Sequence, residues 1–381
     1  MHLRKLHIVL FALLIATLTR SFAAQEAKPF HPEQHEFIIK NFKTESGVVL
    51  PQARLVYGTY GELNAAGSNA VLLPSHYMAD LHGYEWLMKS SNYPNGALDP
   101  GKLFLVTSEL FGNGRSSSPS NTPEPFHGPR FPVMTIRDNV NAVHQMLTEQ
   151  LHIQHLRAVI GFSMGAQQAF QWSVSYPTFM DRVVATSGTA KTYGHGVVRN
   201  EGEITAISND CTFNGGDYAA EPVKGIETFS LMWTGWLYSQ QWWRDELWRR
   251  PDHPGLTLQQ VIKEDREHFI DGADANDLIL QLRTWESNDV GATLGFAGDE
   301  KKALGSIKVP ILYMPSATDL YFPVSDARFE SQFIPHVTLK PIPSLWGHPA
   351  GAGASPADRE FLNKNIAAFL KGEQLKSFPS S

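Results

Sequence analysis

The stretch VIGFSMGAQQAF, residues 159–170, decides how the rest of the chain is read. An apolar run ends in Gly161, and Phe162-Ser163-Met164-Gly165 leads into a segment with helical character. Together these residues match G-x-S-x-G. Between a strand and a helix, that pattern holds the serine on a strained bend with its hydroxyl at the top of a sheet, and only small neighbours fit around it. The bare pattern also arises by chance in a tight turn, so the flanking chain has to decide.

Working outward, short apolar runs alternate with amphipathic segments. Strand candidates are residues 48–61 (VVLPQARLVYGTYG), 70–74 (AVLLP), 102–108 (KLFLVTS), 156–160 and 182–186. Residues 25–36 are polar and read as loose. Helix candidates are residues 135–151, with Ile136, Val140, Val143, Met146 and Leu147 on one face, and residues 164–176. Such alternation predicts a mostly parallel sheet covered on both faces, an α/β architecture. The rhythm breaks over residues 191–306, which are helix-rich and carry Trp233, Trp236, Trp242, Trp243, Trp248 and Trp285. An insertion of this kind reads as a helical lid over the carboxyl edge of the sheet, where such sheets bind ligands. Its tryptophans are expected chiefly as lid core, some of them lining an apolar pocket. Strand signals return at residues 309–314 (VPILYM) and 336–340 (HVTLK), and a helix is expected over residues 357–371.

A serine hydroxyl needs a base to become a nucleophile. In this architecture the chain order is serine, acid, histidine. Asp319 follows the apolar run at 309–314, with Asp326 as its nearest rival on the following helix. His348 follows the last strand in the glycine-rich stretch WGHPAGAG; His336, at the start of that strand, is the weaker choice. His348 would accept the Ser163 proton and Asp319 would orient the imidazole. An oxyanion needs two N–H donors. Met164, next to the serine, supplies one; Met78 in the loop SHYMADLHG is chosen for the second, with Tyr77 as rival.

The bulk numbers exclude other classes. The 381 residues carry a net charge of -6 with no basic block, which argues against nucleic-acid binding. One cysteine, Cys211, permits neither an internal disulfide nor a cysteine metal cluster. His31-Pro-Glu-Gln-His35-Glu36 has metal-ligand residue types but lies in a polar tail and reads as surface, and Asp271 to Asp277 lacks the spacing of a calcium loop. No metal or cofactor is expected. Residues 1–24 have a positive start, a short apolar run and small residues at Ser21 and Ala23, the pattern of a cleaved secretory signal. The mature chain, residues 25–381, is therefore expected as one exported domain without a membrane span, acting on a small acyl substrate.

These motifs resemble a family. YGTYGELNAAGSNAVLLPSHY, FPVMTIRDNVNAVHQMLTEQL, VIGFSMGAQQAFQWSVSYP, NDCTFNGGDY, SATDLYFP and WGHPAG are similar to the homoserine O-acetyltransferase-like branch of the α/β-hydrolase superfamily. The resemblance implies Ser163, Asp319 and His348 as the triad, an acyl-serine intermediate and no metal. It also implies a homodimer, and an O-acyltransferase using acetyl-CoA as the alternative to a serine hydrolase of esters. Two departures favour the hydrolase. Transferases of that family carry an aspartate after the catalytic histidine to read the substrate amine, where this chain has Pro349. Their carboxylate-reading arginine motif is absent from KTYGHGVVRNEGE, with Arg199 as a stand-in. Export would also separate the protein from acetyl-CoA.

Overall fold

Eight strands form one sheet: β1 (Glu33–Lys43), β2 (Val49–Tyr60), β3 (Ala70–Pro74), β4 (Phe104–Ser108), β5 (Ala158–Phe162), β6 (Val183–Thr186), β7 (Ile311–Met314) and β8 (Val337–Leu339). Their order is β1-β2-β4-β3-β5-β6-β7-β8. The β1–β2 and β2–β4 pairs are antiparallel and the rest parallel. The computed structural model describes residues 31–249, 255–270 and 272–378. The secretory signal read at residues 1–24 lies outside them.

Burial follows the parallel pairing. Every residue of β3, β4, β5, β6 and β7 is buried, as expected where helices cover both faces. Four of the helices are α1 (Ile136–Gln145), α2 (Met164–Ser175), α9 (Val324–Ser331) and α10 (Pro356–Leu370). α1 starts in a capping box, Thr135 with Asp138, and then widens into a π-turn at Met146–Gln150. Between β6 and β7 lie α3 (Gly194–Ser208), α4 (Val223–Leu237), α5 (Gln240–Arg244), α6 (Leu258–Glu267), α7 (Ala275–Glu286) and α8 (Glu300–Gly305). The end of this insertion returns to the sheet: Gln171 on α2 donates to Thr293 at 2.8 Å, and Ala303 and Leu304 join the main core.

One strand was hidden by its composition. Residues 25–36 read as loose, yet Glu33 already pairs with Thr59 in β1. β1 is an edge strand whose outward side chains face solvent, so its polar residues mask the two-residue period.

Candidate active site

The bend after β5 is built as the glycine pattern requires. Ser163 caps α2 with φ 55° and ψ -124°, a positive-φ conformation outside the usual basins that a serine adopts only under constraint. The constraint is close backbone approach. A Cβ on Gly161 would lie 1.9 Å from the Gly165 carbonyl oxygen, and one on Gly165 would lie 2.3 Å from the Pro74 carbonyl oxygen and 2.5 Å from the Tyr84 hydroxyl. The Tyr84 hydroxyl braces the bend, accepting from Phe162 N–H at 2.9 Å and donating to the Pro74 carbonyl at 2.6 Å.

Three loops at the carboxyl ends of β5, β7 and β8 bring Ser163, Asp319 and His348 together. His348 Nε2 lies 2.9 Å from Ser163 Oγ, and His348 Nδ1 lies 2.8 Å from Asp319 Oδ2. The second carboxylate oxygen of Asp319 accepts the N–H groups of Tyr321 at 2.8 Å and Phe322 at 3.1 Å. Both carboxylate oxygens are thus held, and the imidazole has a partner at each nitrogen. All three residues are buried, and the rings of Phe162, Tyr321 and Phe322 enclose the imidazole. The rivals stand elsewhere: Asp326 lies on α9, 3.9 Å from His195, and His336 is exposed.

The oxyanion donors need a correction. Met164 opens α2, so its N–H has no carbonyl within the helix and is free for an incoming oxygen. The N–H of Met78, chosen from sequence as the second donor, is already engaged. It donates to Gln281 Oε1 at 2.6 Å, while Gln281 Nε2 donates to the Phe111 carbonyl at 3.2 Å. Those two partners together fix the orientation of the amide. Met78 sits at φ 51° and would have to leave Gln281 to serve an oxyanion. The rival Tyr77 N–H has no acceptor among the described residues. Gln281 is 203 positions from Met78, so no local pattern announces it.

A cavity of about 250 Å³ opens on the serine, lined by His76, Tyr77, Met78, Phe162, Ser163, Trp233, Leu237, His268, Phe269, His348, Pro349 and Ala352. Burial and the neighbouring His348 push His76 down to about 4, so it is neutral near pH 7. Of the lid tryptophans, Trp233 lines this cavity and stacks on Tyr77 at 4.7 Å. Trp285 is core, whereas Trp242 and Trp248 belong to a separate cluster with Val261. Arg199 is buried behind the wall. It donates to Glu203 at 2.7 Å and Asn200 at 2.6 Å, with its guanidinium over the Tyr321 ring at 4.1 Å and the Trp285 ring at 4.4 Å. Arg115 is paired with Glu109 at 3.0 Å, away from the cavity.

A sequence model of the alpha/beta hydrolase fold matches residues 97–350. The chain belongs to the α/β-hydrolase family. It is 34% identical over 331 residues to the ethyl acetate hydrolase of Pseudomonas veronii, covering 86% of this chain and 92% of that one. The solved structure of the acetyl esterase MekB superposes with a TM-score of 0.84 at 32% identity, over 90% of this chain and 97% of the other. A homoserine O-acetyltransferase of Trichormus variabilis is 28% identical over 88% of this chain and 93% of its own. The esterases are thus nearer in sequence than this transferase, on a scaffold that all of them share. Among the described residues no helix is long and apolar enough to cross a membrane.

Proposed function

We propose that the protein is a serine esterase that cleaves small carboxylic esters, acetyl esters among them, through an acyl-Ser163 intermediate resolved by water. The observation that carries this reading is the continuous hydrogen-bonded chain Ser163–His348–Asp319 beside an apolar cavity. In this reading His348 Nε2 takes the hydroxyl proton as Ser163 Oγ bonds to the ester carbonyl carbon. The carbonyl oxygen gains the charge, and the Met164 N–H faces it. Collapse breaks the carbon–oxygen bond of the alcohol, which leaves with the proton returned by His348. Water then attacks the acyl carbon, its proton passing to His348. Ser163 departs as the carboxylic acid forms and recovers its proton. Asp319 keeps the imidazole in the tautomer this sequence needs. The ring-lined cavity of about 250 Å³ suits a short acyl group, in keeping with the named substrate of the Pseudomonas veronii relative.

The transferase relatives motivate the second reading, acyl transfer to homoserine. The lining of the cavity opposes it. Reading an amino acid needs a free carboxylate and a free cation, but the cavity presents Pro349 where the transferases place an aspartate. Two of the three guanidinium nitrogens of Arg199 are committed to Glu203 and Asn200. Water is then the acceptor that remains. Incubation of the purified protein with an aryl acetate should release acetate at a rate that homoserine does not change. Formation of O-acetylhomoserine from acetyl-CoA faster than acetate release would reverse the assignment.

The pattern of residues 1–24 supports export, and the resemblance to the transferase branch supports a homodimer. N-terminal sequencing of the exported protein should begin at Ala24 or Gln25, and sedimentation should give twice the chain mass.

A further inference from the structure

The amino-terminal motif His31-Pro-Glu-Gln-His35-Glu36 is divided by the fold. β1 lays His35 against β2, where Nε2 meets Thr59 Oγ1 at 3.1 Å and the ring stacks on Tyr57 at 5.0 Å. His31, two residues before β1, faces a different partner. Its ring stands edge-on to His82, with centroids 5.8 Å apart. One ligand atom from each of His31, His82 and Glu85 lies within 4.8 Å of the other two. His82 Nδ1 already meets Glu85 Oε1 at 2.6 Å, and the Tyr60 hydroxyl donates to the same carboxylate oxygen at 3.0 Å. Both imidazoles are exposed to solvent, while Glu85 is half-buried against Tyr60.

We propose that His31, His82 and Glu85 bind one divalent transition-metal ion of the zinc class, clamping the start of β1 to the segment that follows the Ser75–Met78 loop. Two imidazoles and one carboxylate are a donor set that zinc favours, and bonds of about 2.0–2.2 Å place tetrahedral ligand atoms roughly 3.5 Å apart. To reach that value the 2.6 Å His82–Glu85 contact has to open as the ion replaces its hydrogen bond, while no pair of ligand atoms starts more than 4.8 Å apart. Glu85 is prepared for the role by Tyr60, since a ligating carboxylate held by an outer hydrogen bond loses less freedom on binding. Oxygen-seeking ions such as magnesium gain little from imidazole, so the site discriminates by ligand type. Water completes the coordination.

The site is separate from the ester chemistry. Tyr84, between the ligands His82 and Glu85 in sequence, is the residue that braces the serine bend through Pro74 and Phe162. A bound ion thus ties the edge strand to the base of that brace. Its expected effect is on stability, because an ion that binds the folded chain shifts the unfolding equilibrium by mass action.

The test uses the full chain without a histidine tag, stripped with chelator and then titrated with zinc chloride by calorimetry, with thermal melting in zinc or magnesium. The wild type should bind one equivalent and melt at higher temperature in zinc than in magnesium. His82→Ala, Glu85→Gln and His31→Gln should each weaken zinc binding at least about tenfold and shrink the zinc-dependent rise in melting temperature, while ester hydrolysis reports that each variant folds. His31→Gln alters an exposed side chain ahead of β1, which keeps one variant free of folding artefacts. Zinc affinity unchanged in His31→Gln and His82→Ala would overturn the proposal, as would the absence of zinc binding to the wild type at about millimolar concentration.

Discussion

The Ser163–His348–Asp319 group at the carboxyl edge of the sheet and the helical insertion above it treat buried polar groups in opposite ways. At the sheet edge both imidazole nitrogens of His348 and both carboxylate oxygens of Asp319 have partners. In the insertion, Arg199 Nε, Glu203 Oε2, Trp242 Nε1 and Trp248 Nε1 are buried with no partner among the described residues. Burial pushes the Glu203 carboxyl up to about 7 despite the pull of Arg199. The sheet edge is fixed by backbone contacts that admit no larger side chain, such as the Gly165 approach to Pro74. The insertion is held by ring packing, which tolerates substitution more readily. On the proposed esterase reading the chemistry resides in the rigid half, and the adaptable half shapes what enters.

The largest test of this contrast removes the proton path. Ser163→Ala or His348→Ala should lower turnover of an aryl acetate by roughly 10⁶, and the double variant should lose little more, because the two act as one unit. Additive losses in a steady-state assay would break the picture. Asp319→Asn should cost about 10⁴ in turnover by presenting the wrong imidazole tautomer. Retention of most activity in that variant would assign the orienting role to another group. Gly165→Ala tests the backbone claim. Its Cβ must displace Pro74 and the Tyr84 hydroxyl, so stability should drop by about 1–3 kcal/mol, read as a lower denaturant midpoint. A neutral outcome would mean that the edge is less rigid than its contacts imply.

A pH-dependent effect lies at the joint between the two halves. Glu330 on α9 is fully buried and accepts from Tyr313 of β7 at 2.7 Å, from Tyr193 at 3.1 Å and from the Ala190 N–H at 2.9 Å. Burial pushes its carboxyl up to about 8. A raised carboxyl contributes stability that is fully present below the ordinary value of about 4.5 and is lost as pH rises toward the folded value. The slope is at most about 1.4 kcal/mol per pH unit for one proton. Thermal melts of the wild type should decline from pH 5 to pH 8, and Glu330→Gln should flatten that decline.

The legible part of the molecule was the part dictated by local sequence. Ser163, Asp319 and His348 each follow an apolar strand, so strand endings located them before their contacts were known. Met78 failed for the opposite reason: its N–H is claimed by Gln281, on a helix far along the chain. His31 likewise meets its neighbours His82 and Glu85 only once β1 pairs with β2. β1 is illegible in the sequence because most of its side chains face solvent and are polar. Periodicity reveals that a segment is a helix, but not which surface receives it.

The most direct measurement is intact-mass spectrometry after incubation with a fluorophosphonate, followed by peptide mapping. One adduct per chain, on Ser163, is expected within the time of a few turnovers, and His348→Ala should leave the folded protein unlabelled. Wild-type protein that remains folded but unmodified, or that is modified on a different serine, would contradict the assignment of Ser163 as the nucleophile.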